Sequence, residues 1–232
     1  MVLSPAATQV PDNCLTRNEW ICPEYLTSRA DVLEAATVQH LWLTVVSVVI
    51  GLVLALPLAL LARRYPKAEG SIVGTTTAIY TIPSLALFSL LVPVTGLAPA
   101  TVITGLTLYS LTILVRNILE GLRAIPAEVI ESAQGMGYGP RRLLVTVELP
   151  LALPSLMAGL RVATVSTVAL TTVGVIVSYG GLGNLLKQGV DTNFKPQVLA
   201  ASVLCVVMAF LFDLVLVIAQ RFMTPWARGR AV

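Results

Sequence analysis

The chain has 232 residues, of which 56% are hydrophobic and 12% charged, with a formal net charge of +3. Soluble domains carry about 25% charged residues, so this composition excludes an ordinary soluble fold and points to an integral membrane protein. Nucleic acid is excluded as a partner, because that function needs a basic face on a soluble domain.

Residues 1–37 come first and read as a short extramembrane arm. They begin MVLSPAATQVPDNCLTRNEW, with neither a basic start nor a compact apolar core, and so do not resemble a cleavable signal. Cys14 and Cys22 lie in this arm. In an oxidising compartment they can form a disulfide; spacing alone does not fix the geometry, and two free thiols are the alternative. Cys205 falls in an apolar segment and reads as a small packing residue. His40, the single histidine, stands at the mouth of the first span and reads as an interfacial residue rather than a catalytic base. No group of Cys, His and carboxylates has metal-ligand spacing, so no metal is expected.

The apolar windows follow. Leu41 to Ala62 and Gly70 to Val115 carry no charge, nor does Val162 to Leu186, and Gln197 to Gln220 is interrupted only by Asp213. A helix needs about 20 apolar residues to cross roughly 30 Å of hydrocarbon. The second window is long enough for two crossings, separated by the Gly/Pro turn TGLAP at Thr95 to Pro99. The windows are continuously apolar, unlike the alternating strands of a membrane barrel. The prediction is an all-α, polytopic protein with about five transmembrane helices at 38–63, 72–94, 99–120, 153–179 and 197–220, within a membrane domain of residues 38–220.

Charge sets the orientation. With the N-terminus outside, eleven of the 15 basic residues fall on the inner side: Arg63, Arg64, Lys67, Arg116, Arg123, Arg141, Arg142, Arg161, Arg221, Arg228 and Arg230. Arg17, Arg29, Lys187 and Lys195 fall outside. The positive-inside bias therefore predicts a cell-membrane protein with its N-terminus outside and residues 221–232 as a cytoplasmic tail.

The same bias puts the central loop, residues 124–150, in the cytoplasm. It contains EVIESAQGMGYGPRRLLVTVELPLALP, from Glu128 to Pro154. Pro126 can open a helix, with Glu128 and Glu131 favourable near its positive end. Gly135, Gly137 and Gly139 then allow the chain to stop and reverse, and Pro140 is suited to begin the next helix, which carries Arg141 and Arg142. The expected element is helix, tight turn, helix, with a small-residue apex.

This stretch resembles the cytoplasmic EAA loop of ABC-importer permeases. That pattern reads Glu-Ala-Ala, three residues, Gly, nine residues, an aliphatic, any residue, Leu-Pro. Here Glu131, Ser132 and Ala133 hold the first places; Gln134, Gly135 and Met136 intervene; Gly137 follows; and Val147, Glu148, Leu149 and Pro150 close it. Ser132 for Ala and Val147 for the commoner Ile are mild departures. YTIPSLALFSLLVPVTGLAP (Tyr80 to Pro99), RNILEGL (Arg116 to Leu122) and GGLGNLL (Gly180 to Leu186) extend the resemblance over roughly residues 38–220, toward permeases for glycine betaine, carnitine, choline and proline.

The resemblance implies a type I ABC-importer permease fold and a transport function without enzymatic activity in this chain. No phosphate-binding Gly-x-x-x-x-Gly-Lys-Ser/Thr loop is present, so ATP and Mg are expected on two separate ATPase subunits. Each EAA loop would dock in one ATPase. A second permease, identical or homologous, would complete the pathway, and an extracytoplasmic solute-binding protein would deliver the solute. SYGGLGNLLKQGVDTNF (Ser178 to Phe194) is a candidate dock or gate, or simply a glycine-rich connection.

Within the membrane, Pro83 is expected to kink the second span. Tyr80 beside it is a candidate cation–π partner for a quaternary ammonium, or a packing residue at the kink. Thr171 and Thr172 belong to a Thr/Ser-rich span whose hydroxyls line a pathway or bond across helices. Arg161 and Asp213 are the deepest charges and fall at similar depth. They are expected to face the protein interior as a pair, with snorkelling of Arg161 to the interface as the alternative. Beside the osmoprotectant reading stand an importer of another small solute, methionine- or phosphonate-like, and an ion-coupled secondary transporter. The latter would want internal repeats and several buried carboxylates.

Overall fold

The computed structural model describes residues 13–226, so Arg228 and Arg230 lie outside the described residues. All regular elements in this range are helical: α1 (Pro23–Ser28), α2 (Ala30–Arg64), α3 (Pro66–Thr81), α4 (Ser84–Thr95), α5 (Pro99–Arg123), α6 (Ala127–Gly135), α7 (Pro140–Leu143), α8 (Leu149–Thr171), α9 (Leu182–Asp191) and α10 (Lys195–Met223). By length and composition α2, α5, the run Pro140–Val177 and α10 can each cross a membrane, and α3 with α4 makes a fifth, broken span.

The helix α5 is the hub. It packs against α2, α3, α4 and α8, and two thirds of its apolar window is buried, against 11% for α10. Lipid is as apolar as leucine, so close packing and interhelical hydrogen bonds hold such a bundle rather than water exclusion. The α2 face turned inward is small: Gly51, Ala55, Ala59 and Ala62 are buried along it. A Cβ on Gly51 would lie 2.2 Å from Ser110 Oγ, so a larger residue there would force the Ser110 hydroxyl aside. Hydroxyls tie the helices where they meet. Thr44 and Thr171 share a hydrogen bond of 3.2 Å, Thr107 donates to the Ser47 carbonyl at 3.2 Å, and Ser155 donates to the Asn117 carbonyl at 2.9 Å. Each such bond is worth about 0.6 kcal/mol inside a membrane.

The second span differs from the single kinked helix expected over 72–94. Its halves α3 and α4 meet at 102°. Proline disfavours helical geometry in the residue before it, and Ile82 is extended, with φ −66° and ψ 128°. The Ile82 carbonyl, freed at the break, accepts a hydrogen bond from the Tyr109 hydroxyl. Below the break, Thr112 donates to the Thr76 carbonyl at 2.6 Å and holds α3 on α5.

The fourth span also departs from 153–179. Its helix is continuous from α7 through one π turn, Leu144–Glu148, into α8, then tightens to a 3-10 segment over Thr172–Val177 and stops at Ser178 in the left-handed conformation. Proline clashes with the carbonyl four residues earlier, and the π turn wraps the backbone differently just before Leu149 and Pro150. The first span begins at Ala30, eight residues earlier than expected. His40 is fully buried within the bundle rather than standing open at its mouth, and Nε2 donates to the Val168 carbonyl at 2.9 Å.

The helices define two ends. Residues 124–148 form one, here the loop end. The other is the arm end, where a Cys14–Cys22 disulfide closes the arm. The arm is clipped to the α9–α10 junction: Asn18 Nδ2 donates to the Asn193 carbonyl at 2.7 Å, and Lys195 N donates to Asn18 Oδ1 at 2.8 Å. Tyr25 meets the Phe194 ring edge-on at 5.5 Å. That burial pushes the Tyr25 phenol up from its ordinary value, with Arg29 opposing.

Candidate functional site: the loop end and the groove between α8 and α10

At the loop end α6 is a nine-residue helix opened by Pro126 and closed by a turn at Met136. Gly137 has φ +85°, a conformation that costs other residues roughly 1–2 kcal/mol. The Gly137 and Tyr138 amides return to the Gln134 and Ala133 carbonyls at 2.9 and 3.1 Å and reverse the chain. Gly139 then leads to Pro140 at the start of α7. Of the motif residues, Ala133 alone on α6 is buried, which seats the helix. Glu131, Ser132, Gly135, Met136, Gly137, Gly139, Pro140 and Arg141 are exposed, whereas Val147, Leu149 and Pro150 are half-buried. Met136 keeps 71% of its surface free at the apex, and the Arg142 guanidinium lies 4.4 Å over the Tyr138 ring, stiffening the turn. The chemistry on offer is a protruding knob with an apolar tip and flanking charges of both signs.

The base of the knob is held by a pair that the motif did not single out. Glu148, only 6% exposed, accepts two hydrogen bonds from the Arg63 guanidinium at the end of α2, at 2.5 and 2.6 Å. Arg123 and Glu69 form a second ion pair, between the end of α5 and the start of α3. The signal for Glu148 was its charge inside an apolar stretch, LLVTVELPLALP; its partner 85 residues away gave none.

Deeper in the membrane, Arg161 and Asp213 form a bidentate pair, Nε to Oδ1 at 2.8 Å and Nη2 to Oδ2 at 3.0 Å. The two side chains are 35% and 36% exposed, so the expected pair forms but opens on the flank of the bundle instead of facing its interior. It sits in a groove of about 560 Å³ between α8 and α10, with Ala158, Ser166, Ala209 and Phe210. The other membrane candidates do not gather there. Tyr80 stands half-exposed with its ring edge-on to Tyr109 at 5.6 Å, beside the break at Pro83. Thr171 is fully buried and bonded to Thr44 and to the Thr167 carbonyl, and Thr172 donates to the Ala169 carbonyl at 2.7 Å. At the arm end Ser178 to Phe194 is chiefly the helix α9, held by Gln39 Oε1 on Gly181 N at 3.1 Å and by Gln197 on the Leu185 carbonyl at 2.9 Å. Among the described residues no cluster of His, Cys, Asp and Glu suits a metal.

The comparisons agree with this architecture. Residues 43–229 match the family described as "Binding-protein-dependent transport system inner membrane component". The chain is 31% identical to the choline transport system permease protein OpuBB of Bacillus subtilis, over 87% of this chain and 93% of that protein. It is 37% identical to the glycine betaine/carnitine/choline permease OpuCD of the same organism, covering 81% and 82%. With the osmoprotectant import permease OsmW of Salmonella typhimurium it shares 32%, covering 87% and 96%. A chain of the methionine ABC transporter MetNI superposes with a TM-score of 0.78 at 23% identity, covering 85% of this chain and 98% of that one, a likeness of fold. The chain belongs to the family of inner membrane components of binding-protein-dependent transport systems.

Proposed function

We propose that this permease forms half of the pathway of an ATP-driven importer for a compatible solute such as glycine betaine, choline, carnitine or proline. The observation that carries the coupling is the stiff knob at the loop end, with Met136 and Gly137 at its apex and the Arg63–Glu148 pair at its base. In this reading the N-terminus is outside, the loop end is cytoplasmic, and the knob sits in one of two ATPase subunits that hold ATP and Mg. Movement of the ATPase is passed along two covalent routes, up the continuous helix from Pro140 into α8 and back along α5 from Arg123. The Arg63–Glu148 pair adds a third, into α2. A knob tied at its base transmits a displacement that a free loop would absorb.

The exposed face of α3 supports pairing with a second permease, identical or homologous. Gly70, Gly74 and Ala78 recur every four residues on it, and neither glycine has a neighbour within 4 Å that would explain its size. Small residues at this spacing let two membrane helices approach closely. The arm end, with α9 clipped to the disulfide loop, is then the side on which a solute-binding protein delivers. The test is a reconstituted complex of this chain, its ATPase and its binding protein. ATP hydrolysis that rises with loaded binding protein, together with solute uptake, supports the reading. Uptake that ignores ATP and follows an ion gradient instead contradicts it.

A further inference from the structure

The Arg161–Asp213 pair is in an unusual place for a structural ion pair. Asp213 lies ten residues from the end of α10 at Met223, and Arg161 twelve from the start of α8 at Leu149. At 1.5 Å per residue both are about 15–18 Å from the loop end, at similar depth in the loop-end half of their apolar spans. Charges at that depth turn to protein or to a water-filled cavity, not to lipid. Here they open on the bundle flank, about a third exposed. Both the Nε and Nη2 groups of Arg161 are spent on Asp213, so the guanidinium does not snorkel to the interface.

The two flanks of α10 differ in kind. Toward α2, the groove beside Thr37 is lined by Leu41, Leu204, Val207, Leu211 and Val215, which suits lipid. Toward α8, the groove of about 560 Å³ carries the charge pair and the Ser166 hydroxyl among the apolar Ala158, Val162, Val165 and Ala209, with the Phe210 ring, 66% exposed. This flank offers a charge of each sign, an aromatic face and room for a small molecule.

Resting on the importer reading above, we infer that this groove is a transient binding site in the pathway for a small zwitterion, and that the Arg161–Asp213 pair selects zwitterions over simple cations. A zwitterion exchanges one ion pair for two. Its carboxylate takes the Arg161 guanidinium and its cationic head takes the Asp213 carboxylate, with the Phe210 face beside it. Every charge keeps a partner throughout. A cation such as choline competes for Asp213 alone and leaves the guanidinium unpaired within an apolar span, which is heavily penalised. The selectivity follows from charge balance rather than from the shape of the groove.

The test uses the permease–ATPase complex in detergent for equilibrium binding, and in proteoliposomes with the binding protein for uptake. The probes are labelled glycine betaine, a zwitterion, and labelled choline, a cation of similar head. The wild type should bind glycine betaine at least tenfold more tightly than choline. Arg161→Gln should weaken glycine betaine at least tenfold while leaving choline equal or tighter, since Asp213 is then free for a cation. Arg161→Lys should retain the zwitterion preference and Asp213→Asn should lose both ligands, with thermal melting confirming that each variant is folded. Equal binding of the two probes by the wild type, or parallel loss of both in a folded Arg161→Gln, overturns the inference. Uptake separates this from the broader reading. Zwitterion binding that depends on Arg161 without any ATP-driven uptake contradicts the importer and leaves the site standing. ATP-driven uptake with an unchanged preference in Arg161→Gln does the reverse.

Discussion

Glu148 and Arg63 are joined by two parallel N–H···O bonds, Nη1 to Oε2 at 2.5 Å and Nη2 to Oε1 at 2.6 Å, across the junction of the loop end and the first span. The carboxylate is almost wholly buried and the guanidinium side chain is 26% exposed. Removing one partner of a buried pair costs about 3–5 kcal/mol, and the partial exposure of Arg63 lowers this to about 2–3 kcal/mol. Glu148→Ala should therefore lower the unfolding temperature in detergent, and should cut solute-stimulated ATPase activity more than basal activity. Arg63→Ala should do the same, and the double variant should be little worse than either single one. Additive losses would show that the two residues act separately.

The apex of the loop separates docking from folding. Met136 is mostly free and touches little in this chain, so Met136→Ala should leave thermal stability within about 0.5 kcal/mol. It should nevertheless weaken association with the ATPase several-fold, as read by titration of purified partners. Gly137→Val places a β-branched residue at φ +85° and should disturb the turn by roughly 1–2 kcal/mol. It should reduce co-purification of the ATPase more than Met136→Ala does.

The arm gives a prediction about redox state and sidedness. Cys14 and Cys22 close a nine-residue loop, and a crosslink of that size stabilises by about 2–3 kcal/mol. Reduction should loosen the clip to the α9–α10 junction, and amide exchange should quicken around Asn18, Asn193 and Lys195 while α5 stays protected. In intact cells an impermeant reductant followed by an impermeant maleimide should label both thiols. Labelling only after lysis would put the arm inside.

The break in the second span combines Pro83 with a hydrogen bond to the carbonyl before it. Tyr109→Phe removes the donor to the Ile82 carbonyl, and one such interhelical bond is worth about 0.6–1.7 kcal/mol in a membrane. The expected outcome is a modest loss of stability with a larger change in spin-label distances between α4 and α5. An unchanged distance distribution would show that Pro83 alone sets the bend.

The sequence showed unevenly what the fold would be. Charge-free windows located the spans because hydrocarbon demands them, and Gly137 and Pro140 marked the reversal because their backbones admit few alternatives. Pro83 announced a kink, but not the 102° bend, nor the hydrogen bond that Tyr109, 27 residues beyond Ile82, gives to the Ile82 carbonyl at the break. His40 stands just before the first apolar window in sequence, whereas α2 extends outward beyond it and the Gly181 backbone packs against it. The Asn18–Asn193 and Arg63–Glu148 contacts join residues 175 and 85 positions apart, and no local pattern encodes them. Arg161 and Asp213 were legible as a pair from depth alone. Their opening on a flank groove was not, since it depends on how α8 and α10 splay.

The most direct measurement is initial solute uptake into proteoliposomes holding this chain with its ATPase and binding protein, with ATP supplied on the loop side, for the wild type and Glu148→Ala. The account predicts uptake that requires ATP and falls at least tenfold in the variant while basal hydrolysis persists. Uptake at full rate without ATP, or transport in the variant as fast as in the wild type, would contradict it.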